Sequence, residues 1–176
     1  MAAAAVATAV GADAAAIADG VHIAAPPWRA SPAGTLAGIP VVDDGMAATP
    51  SKTAALLRSR RPRSILLIAG GLNHAGGGLV HAAPEEVELL DRACDEVART
   101  ARAVVAFGEA APRLVPRLEQ RGVETATVTD LAEAVAAASE KARTNPALEA
   151  IIFSPLFPVA LEDRERFHLL VEQHRR

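Results

Sequence analysis

The sequence is poor in cysteine, in net positive charge and in long apolar runs. Its one cysteine, Cys94, cannot build a disulfide framework or a zinc site, and it fits a reducing compartment. A net charge of -3 provides no electrostatic footprint for nucleic acid. No segment reaches the roughly 18 uninterrupted apolar residues of a membrane span. We therefore expect neither a nucleic-acid partner nor a membrane.

The alanine-rich start of the chain also lacks basic residues. No Lys or Arg precedes Arg29, and Asp13 and Asp19 interrupt the apolar stretch. A secretory signal would need a positively charged beginning and an uninterrupted apolar centre. We therefore predict a cytoplasmic protein.

The rest of the chain alternates between strand and helix patterns. Short apolar runs predict strands at 39–44, 64–69, 103–108, 123–128 and 150–155, with the fourth more exposed than the others. Helices are predicted between the strands, with Thr49 and Asp130 as N-caps and Pro116 awkward inside the third helix of this series. Such alternation predicts an α/β, Rossmann-like three-layer sandwich, with a mostly parallel sheet of about five to six strands and helices on both faces.

Residues before the first predicted strand do not follow that alternation. Residues 2–19 predict one or two alanine-rich helices broken near Gly11, with Gly20 as a stop. Residues 21–38 contain two Pro-rich turn signals, which predict irregular chain. We therefore divide the sequence into a segment 1–38 and an α/β domain 39–176.

The segment "GGLNHAGGG", which follows the second predicted strand, is not a phosphate-binding loop of a known type. It has no Lys followed by Ser or Thr, as a P-loop requires, and the dinucleotide motif G-x-G-x-x-G cannot be laid on it. The five histidines have no metal-ligand spacing, and His168 with His174 fit an exposed helix end. There is no G-x-S-x-G around Ser154. We therefore predict no catalytic residue and no metal ligand in this chain.

The order of five segments resembles the C-terminal domain of the Mur ligases, and most of all its D-glutamate-adding branch. These segments are "VVDDGMAATP", "ILLIAGG", "VVAFGEAAPRL", "TVTDLAEAVAAAS" and "IIFSPLFPVALEDRERF". The alanine-rich start and "PPWR" resemble the end of the family's central domain. The resemblance covers nearly the whole chain, and it implies a Rossmann-like domain that closes over the site and presents the incoming amino acid.

The resemblance also implies a division of labour. In the family, ATP and Mg are bound by a central domain that carries the P-loop, and no motif in this chain binds either of them. The expected function is therefore a stand-alone or truncated domain of a ligase in peptidoglycan precursor synthesis, inactive by itself. Its missing N-terminal and central domains would come from a separate chain.

Candidate site residues follow from matching the family's motifs position by position. Asp44 and Arg29 match nucleotide contacts. His74 lies near a lysine that meets the amino acid's carboxylate in the family, and Ser154 matches a serine at the substrate site. The family's lysine, threonine and second serine are replaced by other residues here, namely Met46, Ala48 and Val159.

Three readings remain open from the sequence. The chain is a piece of a ligase, a non-catalytic nucleotide-binding or protein-interaction module derived from one, or a gene fragment that still folds. Loss of three substrate-binding side chains argues against an intact D-glutamate site, because each charge-assisted contact contributes about 1.5–3 kcal/mol.

Overall fold

The computed structural model describes residues 2–21, 27–73 and 84–175. The described helices and strands alternate along most of the chain. In order they are α1 (Ala2–Ala9), α2 (Ala14–Val21), β1 (Ser31–Leu36), β2 (Ile39–Asp43), α3 (Pro50–Leu57), β3 (Ile65–Gly70), α4 (Pro84–Thr100), β4 (Ala101–Phe107), α5 (Ala111–Glu119), β5 (Glu124–Val128), α6 (Leu131–Thr144), β6 (Ala150–Leu156) and α7 (Leu161–Gln173).

The six strands form one sheet in the order β1-β2-β6-β3-β4-β5. Strand β1 runs antiparallel to β2, and the other neighbouring pairs are parallel. Parallel neighbours need crossover connections, which the helices between them supply. The predicted fold class is therefore confirmed.

Two hydrophobic cores lie on opposite faces of this sheet. Along β3, Leu66 and Ile68 belong to one core, whereas Ile65, Leu67 and Ala69 belong to the other. Successive strand residues point to opposite faces, so a strand covered on both sides is apolar throughout. Helices α6 and α7 pack on the first face, and α3, α4 and α5 pack on the second.

Residues 21–38 were expected to be irregular, and for Ser31–Leu36 this expectation is wrong. That segment is an edge strand, with a register shift between Pro32 and Gly34, and it buries Leu36 completely. Proline and glycine weaken a strand pattern in sequence, but an edge strand tolerates both residues. The boundary between residues 38 and 39 stays a prediction, and a strand on its N-terminal side belongs to the same sheet.

Other element predictions differ only at their ends. The alanine-rich start forms two helices, which are separated around Gly11 at a φ of 92°. Helix α5 contains Pro116, as the sequence predicts, and ends at Glu119. Strand β5 is the more exposed strand that its alternating sequence predicts. Within the described ranges, no helix is long and apolar enough to cross a membrane.

Glycines at the end of β3 allow three strand ends to approach one another. A Cβ on Gly70 would lie 2.0 Å from the carbonyl oxygen of Phe107, and a Cβ on Gly71 would lie 2.4 Å from that of Pro158. Both glycines have positive φ angles, of 139° and 110°. The carboxyl ends of β3, β4 and β6 therefore converge at one edge of the sheet, where ligands bind in α/β proteins of this kind.

Candidate functional site

Two of the predicted site residues meet at this edge. Asp44 directly follows β2, and Ser154 lies in β6, the neighbouring parallel strand. The Ser154 hydroxyl donates a hydrogen bond to Asp44 Oδ2 at 2.9 Å. The backbone N–H of Asp44 donates to the carbonyl oxygen of Phe153 at 2.8 Å, which fixes Asp44 against β6.

A buried threonine completes this arrangement. Thr53 Oγ1 in α3 lies 2.7 Å from Ser154 Oγ, and both side chains are fully buried. A hydroxyl has one proton, and Ser154 gives its proton to Asp44, so Thr53 must donate to Ser154. The three groups therefore form a directed chain from Thr53 to the Asp44 carboxylate. In this arrangement the Ser154 hydroxyl donates its proton to Asp44. The role of Ser154 as a substrate contact stays a prediction.

The second Asp44 oxygen accepts a bond from the chain that precedes β1. The Ala30 N–H donates to Asp44 Oδ1 at 3.3 Å. Burial raises the pKa of the Asp44 carboxyl, while the Ser154 hydrogen bond and the positive charge of Arg29 act in the opposite direction. The Asp44 carboxylate thus bonds Ser154 and Ala30, neither of which lies in α3.

A shallow pocket of about 220 Å³ surrounds this carboxylate, and we call it the charged pocket. It brings Asp44 together with the exposed cations Arg29 and Lys52. The sequence comparison did not single out Lys52. The lining residues are Arg29, Ala30, Asp44, Met46, Ala47, Lys52 and Leu56.

The sequence also did not predict Asp43, which precedes Asp44, as a site residue. Asp43 is fully buried, and its Oδ1 accepts from the Gly45 N–H at 2.9 Å. Its Oδ2 lies 2.8 Å from Nε2 of His168. Burial raises the pKa of the Asp43 carboxyl, although the bonds to Gly45 and His168 oppose that rise. Strand alternation could have revealed this residue, because Asp43 shares its face with the core residue Val41.

His168 is exposed, as the sequence predicts, although it lies within α7 rather than at its end. Its side chain is 47% exposed, but its ring meets a carboxylate with no solvent exposure. The contact joins α7 to the end of β2 across the core face of the sheet. His174 bonds locally, with Nδ1 2.9 Å from the carbonyl oxygen of Leu170.

A second pocket, of about 250 Å³, lies beside the first turns of α3 and α4, and we call it the apolar pocket. Its lining residues are Ala48, Thr49, Pro50, Ser51, Asn73, Glu86, Leu89, Leu90, Arg113, Leu156, Phe157 and Pro158. The predicted substrate residue His74 lies outside the described residues. Arg113 was not predicted from the sequence.

The three positions where the family pattern is broken lie in different surroundings. The Met46 sulfur accepts a contact from Arg164 Nη1 at 3.2 Å, and Ala48 lines the apolar pocket. Val159 is buried in the core, and its carbonyl oxygen accepts from Arg164 Nη2 at 3.2 Å. Thus Val159 serves packing, while Met46 and Ala48 face pockets.

Comparison with solved structures agrees with this architecture. The structure is similar to the crystal structure of UDP-N-acetylmuramate-alanine ligase MurC from Thermotoga maritima, with a TM-score of 0.62 at 16% sequence identity. The chain shares its fold with part of a Mur ligase. The match covers 96% of this chain and 36% of that ligase, so the chain spans just over a third of its length. No protein-family model and no curated protein matches the sequence.

Proposed function

We propose that this chain is the C-terminal-type domain of an ATP-dependent Mur-type ligase, which faces the nucleotide and presents an amino acid. The observation that carries the proposal is the charged pocket. There Asp44, Arg29 and Lys52 meet at the carboxyl edge of a mostly parallel sheet. A carboxylate flanked by two cations matches the chemistry of a nucleotide, which has ribose hydroxyls as donors and phosphates as anions.

Asp44 is suited to a ribose because its orientation is set by bonds from Ser154 and Ala30. A carboxylate offers about four acceptor sites, so lone pairs remain for the ribose hydroxyls. Arg29 is suited to a phosphate or to stacking on adenine. The pocket does not fit Mg²⁺, since Asp44 is the single carboxylate among its described lining residues.

Phosphoryl transfer from ATP is assigned to an ATPase domain outside these 176 residues, which a separate chain would supply. The sequence contains no Lys followed by Ser or Thr in its glycine loop, so it lacks the phosphate cradle that such transfer needs. By itself the chain should release no phosphate with ATP, magnesium and a UDP-muramoyl peptide. D-Glutamate as the incoming amino acid is the finer expectation from the sequence, and the protein would then act in peptidoglycan precursor synthesis.

Titration with ATP, followed by NMR, tests this function. We expect shifts centred on Asp44 and Arg29, and a loss of about tenfold or more in affinity for Asp44→Asn, because a charge-assisted hydrogen bond is removed. Lys141→Ala is the matched control, since that cation pairs with Glu124 beside the far edge strand. The absence of any response to millimolar ATP, together with a destabilised Asp44→Ala variant, would leave Asp44 with a purely structural role.

A further inference from the structure

The apolar pocket has the size of a small metabolite site. Its volume of about 250 Å³ lies just below the roughly 300–1,000 Å³ of pockets that enclose drug-sized ligands. One wall is made by Leu89 and Leu90 of α4, and another by Leu156 and Phe157 at the end of β6. A ligand in this pocket must therefore place an apolar group between these walls.

Arg113 provides a positive charge that is held in place. Its guanidinium lies 5.5 Å from the ring centroid of Phe157, and its Nη1 donates to Asn73 Oδ1 at 3.1 Å. A guanidinium carries five N–H donors in a fixed planar arrangement. The bond to Asn73 leaves donors with which Arg113 can bind a carboxylate in two-point fashion.

Glu86 provides the opposite charge. It lies in the first turn of α4 and lines the same pocket as Arg113. Among its described lining residues, the pocket thus combines one cation, one anion and apolar walls. An α-amino acid carries the complementary set of one carboxylate, one ammonium and a side chain.

We propose that the apolar pocket binds a free α-amino acid whose side chain is apolar and larger than a methyl group. Its carboxylate meets Arg113, its ammonium meets Glu86, and its side chain packs against Leu89, Leu90 and Phe157. This inference rests on the proposed ligase function, and for the incoming amino acid it replaces D-glutamate, the expectation from the sequence, with an apolar amino acid.

Glutamate fits the same pocket poorly. Arg113 is the single cation among the described lining residues, and the α-carboxylate would occupy it. Among the described lining residues no second cation remains to pair with the side-chain carboxylate, which is unfavourable for an ionised group beside leucine and phenylalanine side chains. The larger apolar side chains of leucine, isoleucine or phenylalanine bury apolar surface instead.

The test is a titration of the full chain with L-leucine and D-leucine, followed by the methyl NMR signals of Leu89 and Leu90. We expect saturable shifts with at least one enantiomer. Binding should be about tenfold weaker or more for 4-methylpentanoate, which lacks the ammonium, for isoamylamine, which lacks the carboxylate, and for either enantiomer of glutamate. Equal binding of glutamate, or of either truncated analogue, would overturn the proposal, as would no response to leucine.

Two variants test which residue binds the carboxylate of the amino acid and which binds its ammonium. Arg113→Gln and Glu86→Gln should each weaken leucine binding about tenfold or more, whereas Arg92→Gln should not. Arg92 is an exposed α4 cation that pairs with Glu88 outside the pocket lining. Glu86 is exposed on α4, so its variant should fold even if Arg113→Gln does not. Unchanged affinity in Glu86→Gln would overturn the placement of the ammonium.

ATP binding without leucine binding would reject this inference alone, and leucine binding without ATP binding would reject the nucleotide site alone.

Discussion

Asp43 is a residue whose charge state couples directly to folding. It is fully buried, and its carboxylate holds both the Gly45 N–H and the His168 ring. Losing that carboxylate leaves the buried N–H without a partner, whereas an amide can keep both contacts by accepting from Gly45 and donating to a neutral imidazole. An asparagine at this position therefore separates the effect of the charge from the effect of the two hydrogen bonds.

For Asp43 we expect Asp43→Ala to lower the free energy of unfolding by about 1–3 kcal/mol at pH 7, and Asp43→Asn to lower it less. Burial raises the pKa of Asp43 above its unfolded value of 3.8. Wild-type stability from this group should therefore be greatest below pH 3.8 and fall as the pH rises through the folded pKa. Urea unfolding at several pH values measures both effects, and a pH slope unchanged in Asp43→Asn would contradict the assignment.

The Thr53–Ser154–Asp44 chain predicts an order of effects. Ser154→Ala removes the donor to Asp44 and the acceptor for Thr53, so it should cost about 1–3 kcal/mol of stability. Thr53→Val keeps the shape and the bond to Asp44, and it should cost about 0.5–1.5 kcal/mol. Chemical denaturation of both variants measures the two losses in the free energy of unfolding. A larger loss for Thr53→Val would mean that the hydroxyls are arranged differently.

At the scale of elements, the end of β3 depends on close contact between backbones. Gly70 and Gly71 let β3 approach the ends of β4 and β6. A Cβ on Gly108, whose φ is 72°, would lie 2.7 Å from the Gly71 carbonyl oxygen. These contacts hold together the sheet edge that bears both pockets. A side chain at this edge would separate the strands rather than merely strain one residue.

Gly70→Ala should therefore destabilise the protein by about 3 kcal/mol or more, from the sum of an unfavourable φ and a backbone clash. The matched control is Gly122→Ala. Gly122 has a similar requirement for positive φ, at 72°, but nothing lies within 4 Å of its built Cβ. The Gly122→Ala variant should lower the free energy of unfolding by only about 1–2 kcal/mol. Thermal or urea unfolding compares the two variants, and equal losses would show that φ strain alone acts at Gly70.

On the scale of the whole molecule, the sheet includes a strand on the N-terminal side of the predicted domain boundary. Strand β1 pairs with β2 and buries Leu36 in the core beneath α7. By contrast, Val6 and Val10 of the N-terminal helical region are 64% and 80% exposed. The cooperative unit should therefore begin at β1, while α1 and α2 contribute little to it.

Two truncations test this boundary. A protein that begins at residue 27 should keep its free energy of unfolding to within about 0.5 kcal/mol, since the removed side chains that the structure describes are largely exposed. A protein that begins at residue 39 loses the burial of Leu36 and should lose at least about 1.5–3 kcal/mol. Denaturant unfolding of both measures the difference. Hydrogen exchange in the full chain should show weaker protection in α1 than in Ile65–Gly70.

Local sequence determined most of the architecture. The apolar runs of β3, β4 and β6 indicated strands covered on both faces, and the helices between them required parallel neighbours. These features depend on periodicity within a few residues, which survives whatever the distant chain does. Asp44 and Ser154 could be placed at one edge for the same reason, because the carboxyl ends of parallel strands lie together.

Tertiary structure alone decided the pairings between distant residues. His168 meets Asp43 across 125 positions, and Thr53 meets Ser154 across 101 positions. Strand β1, whose Pro32 and Gly34 obscure its pattern, became a strand through pairing with β2. Arg113 of α5 lines the apolar pocket together with residues of α4, and these two helices meet only in the folded protein. Strand order and register set these contacts, and neither is a property of any short stretch of sequence.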